Sequence, residues 1–195
     1  MIERLVAVGL LVLLSPVLLL LAALALLTQG RPVFFLQQRA GLDGVPFTML
    51  KFRTMHADSA VSVHANRVTG LGRVLRRYGL DELPQLVNIA LGHMRFVGPR
   101  PALLEQVARY GDVESRRLSV PPGLTGWAQV QGRNAISWEE RIDLDLWYLD
   151  NRDVWLDLRI LWRTFGILMS GRGVYGTSGV NPDFRPSGAT ARKAA

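Results

Sequence analysis

Asp81 and Glu82 are two adjacent carboxylates that stand directly before a predicted helix. Apolar residues recur after them at helical spacing, at Leu83, Leu86, Val87, Ala90 and Leu91. Pro84 suits the first turn of this helix, and Gly92 suits its end. The partial positive charge at a helix start stabilises carboxylates and also attracts phosphate oxygens. The pair is therefore either a simple helix cap or a reactive site, with a carboxylate nucleophile or a magnesium ligand.

Two basic side chains that could bind phosphate lie on a predicted hairpin. Segments 33–38 and 45–52 are rich in strand-forming residues, and the Asp43-Gly44 pair between them is a turn signal. Alternation along the second strand puts Lys51 and Arg53 on the same face. Two cations on one face can hold a pair of phosphates, or they can form an ordinary solvated edge.

Three further arginines lie where the surrounding sequence favours a binding role. Arg76 belongs to the arginine cluster of "GRVLRRYG", and Arg100 is held between two prolines in "VGPRP". An arginine on a stiff backbone suits bidentate recognition of phosphate at low entropic cost. Arg133 ends "SVPPGLTGWAQVQGRN", which is predicted to be a long loop rich in glycine and proline, and such loops are often functional. A helix is expected from Pro101 to about Tyr110.

The amino-terminal segment is long and apolar enough to enter a membrane. Residues 5–27 are 23 residues without a charge, and a helix needs about 20 such residues to cross a bilayer. Ser15 and Pro16 interrupt the segment at its middle, where proline bends a helix and the serine hydroxyl can satisfy a freed carbonyl. The segment can therefore span as a kinked helix or turn back to the side it entered from. The basic residues that follow it favour a cytoplasmic position for the rest of the chain.

Composition restricts the possible classes of function. The chain has 195 residues, a formal net charge of +7 and no cysteine. Thiolate metal sites and disulfides are excluded, and the three histidines lack metal-ligand spacing, which argues against zinc chemistry. The positive balance suits an anionic partner such as phosphate, nucleic acid or acidic lipid. No nucleic-acid recognition motif is present.

The last third of the chain is predicted to be helical. The segment "VWLDLRILWRTFGILM" alternates tryptophan and leucine with charged residues, as expected either of a helix at a membrane interface or of one that covers the core. Gly171, Gly173 and Gly176 match a dinucleotide fingerprint, but no strand precedes them, and we reject that interpretation.

The order of the motifs resembles a known family. The apolar segment broken at Ser15-Pro16 is followed by "PVFFLQQRAG", "KFRTM", "LDELPQL", "VGPRP" and "PGLTGWAQVQGRN". This succession, from about Arg4 to about Tyr175, resembles the bacterial sugar transferases, which are monotopic phosphoglycosyl transferases. The chain departs from the family pattern at Ala7 and His93, where family members often carry an acidic residue.

The resemblance implies an α+β fold, mainly helical, in three parts. Residues 1–29 would form a re-entrant helix–break–helix membrane anchor, with the break at Ser15 and Pro16. Residues 30–180 would form a cytoplasmic catalytic domain with a small β-hairpin and interfacial amphipathic helices. Residues 181–195 would be a disordered tail. The protein would lie on the cytoplasmic face of the bacterial inner membrane.

The resemblance also implies a reaction and its site. The family transfers a sugar-1-phosphate from a nucleoside diphosphate sugar, usually a UDP-sugar, to a polyprenol phosphate such as undecaprenyl phosphate. Asp81 would attack the β-phosphorus and expel UMP, giving a phospho-aspartate intermediate, and Asp81 and Glu82 would bind Mg²⁺. The cations expected around the phosphates are Lys51, Arg53, Arg76, Arg100 and Arg133.

The expected partners are both substrates and membrane lipid, with downstream glycosyltransferases as further partners and nucleic acid excluded. Two alternatives stay open. One is a membrane-attached glycosyltransferase that releases UDP, and the other is a non-catalytic basic membrane adaptor.

Overall fold

Helices dominate the part of the chain that the computed structural model describes, which comprises residues 1–56, 68–132 and 136–170. The helices are α1 Ile2–Gln29, α2 Gly70–Tyr78, α3 Gln85–Leu91, α4 Leu104–Val107, α5 Asp112–Ser115, α6 Trp127–Gln131, α7 Trp138–Asn151 and α8 Val154–Ser170. The strands are β1 Phe34–Ala40, β2 Pro46–Phe52, β3 Arg95–Val97 and β4 Gly123–Thr125. The β1 and β2 strands pair antiparallel, whereas β3 and β4 pair parallel. The mainly helical fold with a small antiparallel sheet is confirmed.

The predicted hairpin is confirmed, including its turn. Phe34 pairs with Phe52 and Ala40 pairs with Pro46. Asp43 and Gly44 both have positive φ, at 53° and 76°. Aspartate and glycine tolerate this left-handed conformation better than other residues, which is why their order in the sequence indicated the turn.

Asn88 on α3 fastens that helix to the open edge of β2. Its Oδ1 accepts from the Leu50 backbone N–H at 3.1 Å, and its Nδ2 donates to the Thr48 carbonyl at 2.7 Å. One buried amide therefore satisfies a donor and an acceptor of an otherwise unpaired strand edge. The contact brings the chain just before α3 beside the end of β2.

The apolar amino-terminal segment forms a single helix that runs through Pro16. The Ser15 hydroxyl donates to the Val12 carbonyl at 2.8 Å. Because proline has no N–H, Val12 is the carbonyl that residue 16 would otherwise bond, so the serine satisfies the group freed by Pro16. α1 therefore continues without a break at Ser15-Pro16. The re-entrant course of this segment remains a prediction. This helix is long and apolar enough to cross a membrane.

α1 packs against the rest of the protein along most of its length. Ala7 is fully buried in a cluster with side chains of β2 and α3, which include Phe47, Met49, Leu86 and Ile89. Leu21 is buried in a second cluster with Phe52 and Leu75. Residues on the other side of the helix, such as Leu13 and Leu20, are exposed. The helix therefore contributes to the core and also carries an apolar outer face.

The start of α1 is fixed by three residues that we call the amino-terminal clamp: Glu3, Arg95 and Phe96. Glu3 Oε1 accepts from Arg95 Nε at 2.8 Å and from Arg95 Nη2 at 2.5 Å. Glu3 Oε2 accepts from the Phe96 backbone N–H at 3.1 Å. Both oxygens of this carboxylate therefore have partners on or beside β3.

The segment predicted to be one long loop before Arg133 contains regular structure, so that prediction is wrong. β4 and α6 both lie within it. A Cβ on Gly123 would lie 2.1 Å from the Gly98 nitrogen, and one on Gly126 would lie 2.2 Å from the Gly98 carbonyl oxygen. The glycines that indicated a loop therefore allow two backbones to approach closely. The helix expected from Pro101 to Tyr110 is also shorter, since α4 has only four residues.

α8 confirms the predicted helical character of the last third and presents two different faces. Leu156 and Ile160 are buried against Tyr148 and Val97. On the opposite side, Trp155 and Trp162 are 79% and 78% exposed. The helix covers part of the core and also exposes aromatic side chains of the kind found at membrane interfaces. The glycines of the rejected fingerprint and the predicted tail lie outside the described residues.

Candidate functional site

Asp81 and Glu82 lie in one turn of 3₁₀ helix, Leu80–Glu82, which we call the carboxylate turn. Gly79 ends α2 with φ of 68° and ψ of 14°, a left-handed conformation that favours glycine. Pro84 then precedes α3 directly, and Gly92 ends α3 with φ of 85°. The predicted position of the pair, just before a helix, is confirmed.

Glu82 is held by two cations that share one of its oxygens. Its Oε1 lies 2.6 Å from Lys51 Nζ and 3.0 Å from Arg100 Nη2. Burial raises the pKa of Glu82, but Lys51 and Arg100 outweigh this effect and hold that pKa well below its usual range. Burial lowers the pKa of Lys51, although Glu82 opposes this shift. Two of the predicted phosphate-binding cations thus meet at one carboxylate.

Asp81 stands in a different electrostatic state. Its carboxylate makes no hydrogen bond or ion pair with any residue in the described parts of the chain. Burial, followed by the neighbouring charge of Glu82, raises the pKa of Asp81, while Lys51, Arg76 and Arg100 act in the opposite direction. A half-buried carboxylate without a partner is unfavourable for stability, and such groups are concentrated at functional sites.

Arg76 and Arg53 have separate positions. Arg76 Nε donates to Thr54 Oγ1 at 2.8 Å, and its charge acts on Asp81. The Arg53 guanidinium instead binds the carbonyl groups at the end of α1: those of Gln29, Gly30 at 2.9 Å and Arg31 at 3.2 Å. The structure therefore brings Arg76 to the carboxylate turn and uses Arg53 to hold the end of the apolar helix. A phosphate-binding role for Arg53 stays a prediction, and Arg133 lies outside the described residues.

Arg39 is a cation near the site that the sequence interpretation omitted. Its Nη1 donates to the Pro101 carbonyl at 3.2 Å and its Nη2 to Gln37 Oε1 at 2.6 Å. Burial, reinforced by the charge of Arg100, lowers the pKa of Arg39 to about 10, while Glu82 opposes the shift. The hairpin register could have identified Arg39. It pairs with Phe47, and Phe47 lies on the same face of β2 as Lys51, so Arg39 and Lys51 share that face.

The carboxylates suit a magnesium ion better than a metal with a full set of protein ligands. Among the described residues, no three histidine, cysteine or acidic side chains lie close enough to hold a metal together. Mg²⁺ is commonly bound by one or two carboxylates with water and substrate phosphates supplying the other ligands. Asp81 has no partner among the residues that the structure describes, and both contacts of Glu82 involve Oε1. The donor set fits this ion.

Comparison with known proteins identifies close relatives. A family model described as bacterial sugar transferase matches residues 1–171. The chain is 44% identical over 173 residues to an uncharacterised sugar transferase, EpsL, of Bacillus subtilis, which covers 87% of this chain and 86% of EpsL. It is 37% identical over 186 residues to the exopolysaccharide production protein ExoY of Rhizobium meliloti, covering 85% and 82% of the two chains.

A third relative is longer. The UDP-glucose:undecaprenyl-phosphate glucose-1-phosphate transferase of Escherichia coli is 39% identical over 168 residues, which is 79% of this chain and 36% of that protein. The chain therefore spans most of EpsL and ExoY but only 36–40% of several other relatives.

Proposed function

Because the chain belongs to the bacterial sugar transferase family, we propose that it transfers a sugar-1-phosphate from a UDP-sugar to undecaprenyl phosphate and releases UMP. The Escherichia coli relative is named for transfer of glucose-1-phosphate between UDP-glucose and this carrier. ExoY is named for exopolysaccharide production, and we propose that the transfer is the first membrane step of such a pathway.

The observation that carries the proposal is the contrast between the two adjacent carboxylates. Glu82 is ionised and paired, whereas Asp81 has no partner in the described parts of the chain although the charges of the same cations act on it. An ionised carboxylate needs no general base to act as a nucleophile. Asp81 is therefore the group that can attack, and Glu82 is the group that organises the cations.

The reaction consists of two substitutions at one phosphorus atom. A carboxylate oxygen of Asp81 bonds to the β-phosphorus of the donor while the bond from that phosphorus to the bridging oxygen breaks, and UMP leaves with the electron pair. A phosphate oxygen of the carrier then attacks the same phosphorus, and the bond to Asp81 breaks. The carboxylate is regenerated, and neither substitution requires a proton transfer.

The cations supply the electrostatic part of this mechanism. Both substitutions bring anions together, so fixed positive charge at the developing transition state provides much of the rate. Lys51 and Arg100 are already fixed at Glu82, and the charge of Arg76 acts on Asp81. Asp81 and Glu82 would also hold Mg²⁺, which would neutralise diphosphate charge when bound.

The packing of α1 supports attachment to one face of the membrane. A straight helix of 28 residues would be about 42 Å long, enough to cross a bilayer. However, its start is held by Arg95 and its end by Arg53, both of which belong to the same domain as the carboxylate turn. If α1 crossed the bilayer, these charged contacts would lie on opposite sides or within the hydrocarbon, where charges are costly. A monotopic attachment avoids this cost, with the domain on the cytoplasmic side.

The topology can be tested directly because the chain has no cysteine. We would introduce one cysteine at Ile2 or at Thr28 and treat intact spheroplasts and inverted vesicles with a membrane-impermeant maleimide. A re-entrant segment predicts that both positions react only in inverted vesicles. Reaction of the two positions from opposite sides would establish a spanning helix and overturn the monotopic proposal.

The reaction can be tested by nucleotide release. Purified protein in nanodiscs receives Mg²⁺, undecaprenyl phosphate and a panel of UDP-sugars, with the Asp81→Asn variant as control. UMP formation with at least one donor and its loss in the variant is the expected result. Release of UDP would identify a direct glycosyltransferase, and release of neither nucleotide would favour the membrane adaptor.

A further inference from the structure

The backbone around Arg100 is fixed at four consecutive carbonyl groups. Each of the residues 99–102 accepts a hydrogen bond from a different part of the chain: Pro99 from the Gly123 N–H at 2.9 Å, Arg100 from Arg117 Nη2 at 3.4 Å, Pro101 from Arg39 Nη1 at 3.2 Å and Ala102 from the Ala40 N–H at 3.0 Å. These four contacts, made from separate parts of the chain, hold the backbone of the proline-rich loop in one conformation.

Arg117 is the most deeply buried of the side chains that make these contacts. Its side chain is 2% exposed, and its Nη2 lies 2.5 Å from Oδ2 of Asp145, whose side chain is 1% exposed. Its Nη1 donates to the Tyr110 hydroxyl at 2.6 Å. One guanidinium therefore connects the Arg100 backbone to α7 and to the segment before α5.

A buried ion pair is a poor way to gain stability alone. Removing two charges from water costs about as much as their attraction returns, and apolar residues of similar volume often stabilise equally well. What an apolar pair cannot provide is a planar set of donors that reaches Asp145, Tyr110 and the Arg100 carbonyl together. The pair therefore provides a defined geometry at Arg100.

We propose that Arg117 and Asp145 are positioning residues that set the location of Arg100, an inference that rests on the proposed function. Neither residue contacts Glu82 or Asp81. Arg117 holds the Arg100 backbone, and the Arg100 side chain donates to Glu82 Oε1 at 3.0 Å. Displacement of that backbone moves the cation away from the carboxylate turn and from the phosphates of the donor. A shift of about 1 Å can reduce the rate of an enzyme by about a hundredfold.

The chain contains a matched control for this pair. Arg116 is the preceding residue in the same 3₁₀ turn, and it pairs with Asp150 of the same helix α7, also at 2.5 Å. The side chains of that pair are 54% and 55% exposed, and they make no hydrogen bond to residues 99–102. The two pairs thus share chemistry and neighbouring positions but differ in contact with Arg100.

The test is a double-mutant cycle. Arg117→Lys and Asp145→Asn are compared with Arg116→Lys and Asp150→Asn, each in the unaltered protein and in an Arg100→Lys background. Arg117→Lys keeps a positive charge beside Asp145, so this variant preserves folding better than a variant that removes the charge. Two quantities are measured in nanodiscs: kcat/KM for UMP release, and the rise in melting temperature that UDP with Mg²⁺ produces.

If Arg117 acts through Arg100, Arg117→Lys lowers kcat/KM about tenfold in the unaltered protein and less than about twofold in the Arg100→Lys background. The rise in melting temperature with UDP and Mg²⁺ is likewise reduced in the unaltered protein and changed less in the Arg100→Lys background. The Arg116 and Asp150 variants keep kcat/KM within about twofold of the background in which each is made. Equal losses in both backgrounds, or a loss of rate that matches a loss of folded protein, would assign the pair a purely structural role.

The cycle also separates this inference from the proposed function. Additive effects in a protein that releases UMP normally overturn the inference alone. If the unaltered protein neither releases UMP nor is stabilised by UDP, the proposed function fails and the inference fails with it.

Discussion

The carboxylate turn and the amino-terminal clamp use the same chemical groups in opposite ways. In the clamp, Glu3 accepts three hydrogen bonds from Arg95 and Phe96, and both of its oxygens are satisfied. In the carboxylate turn, Glu82 is paired through one oxygen while Asp81 has no partner among the described residues. An acidic residue beside an arginine therefore does not distinguish the candidate site from a structural contact. The unsatisfied carboxylate of Asp81 is the difference on which we base its proposed role as the nucleophile.

Moving the Asp81 carboxylate without removing it should have the largest effect. Asp81→Glu keeps the charge but extends the side chain by one methylene, which would misplace the proposed nucleophile. We expect kcat for UMP release to fall by about a hundredfold or more. The matched change in the clamp, Glu3→Asp, should leave kcat within about threefold. Comparable activity of Asp81→Glu and the unaltered protein would show that only the charge of Asp81 matters.

Loss of the Glu82 charge should destabilise the fold. Glu82→Gln leaves Lys51 and Arg100 close together without their counter-charge, because each now loses a charged acceptor. We expect a loss of about 2 kcal/mol, since hydrogen bonds to charged groups contribute about 1.5–3 kcal/mol. Thermal unfolding of Glu82→Gln and of the unaltered protein, both in buffer that contains a chelator, measures this loss of stability. An unchanged melting temperature would mean that the two cations find other partners.

Asp81→Asn should raise the stability of the fold, whereas Glu82→Gln should lower it. The pKa of Asp81 is raised in the folded protein, so folding penalises its ionised form. This penalty is present at pH values above the folded pKa and is absent below the unfolded pKa, so the wild-type protein gains stability as Asp81 is protonated. We therefore expect Asp81→Asn, which the proposed mechanism predicts to be inactive, to be more stable than the wild-type protein by about 1 kcal/mol at pH 7, because asparagine has no charge to remove from water.

The advantage of that variant should shrink as the pH is lowered towards 4. Melting curves of both proteins across this range, without metal, provide the measurement. A variant less stable than the unaltered protein at pH 7 would show that Asp81 is a structural residue like Glu3.

The smallest effect should come from the clamp itself. Glu3→Gln removes the charge of a pair whose side chains are 34–38% exposed, while its amide oxygen can still accept from Phe96. Partly exposed ion pairs contribute about 0–1 kcal/mol, so we expect a loss of stability in that range and little change in UMP release. A large loss of activity would indicate that the seating of α1 controls the carboxylate turn.

Local sequence signals predicted the hairpin that carries Lys51 and the helix that follows the two carboxylates. The hairpin turn depends on Asp43 and Gly44, and the position of Asp81 depends on Pro84 and the helical spacing after it. These features lie within a few residues of each other, so their physical causes are visible in a short segment. The family resemblance added the functional interpretation.

Long-range contacts were not predictable in this way. Arg53 was predicted to share a strand face with Lys51, but β2 ends at Phe52. The Arg53 guanidinium instead binds carbonyls of residues 29–31, and no local pattern specifies the return of those residues to β2. The pair of Arg117 and Asp145 and the contact of Glu3 with Arg95 likewise join residues that are far apart in sequence. Each depends on how the completed elements pack.

The packing of α1 has a practical consequence for producing this enzyme. Because Ala7 and Leu21 complete two clusters with the hairpin, α2 and α3, deletion of residues 1–29 would expose Phe47, Phe52 and Leu75 to water. A truncated version made for expression without detergent would therefore aggregate. Solubility is better sought by polar substitution of the outward side chains, such as Leu13 and Leu20, which leaves the inner face and the carboxylate turn intact.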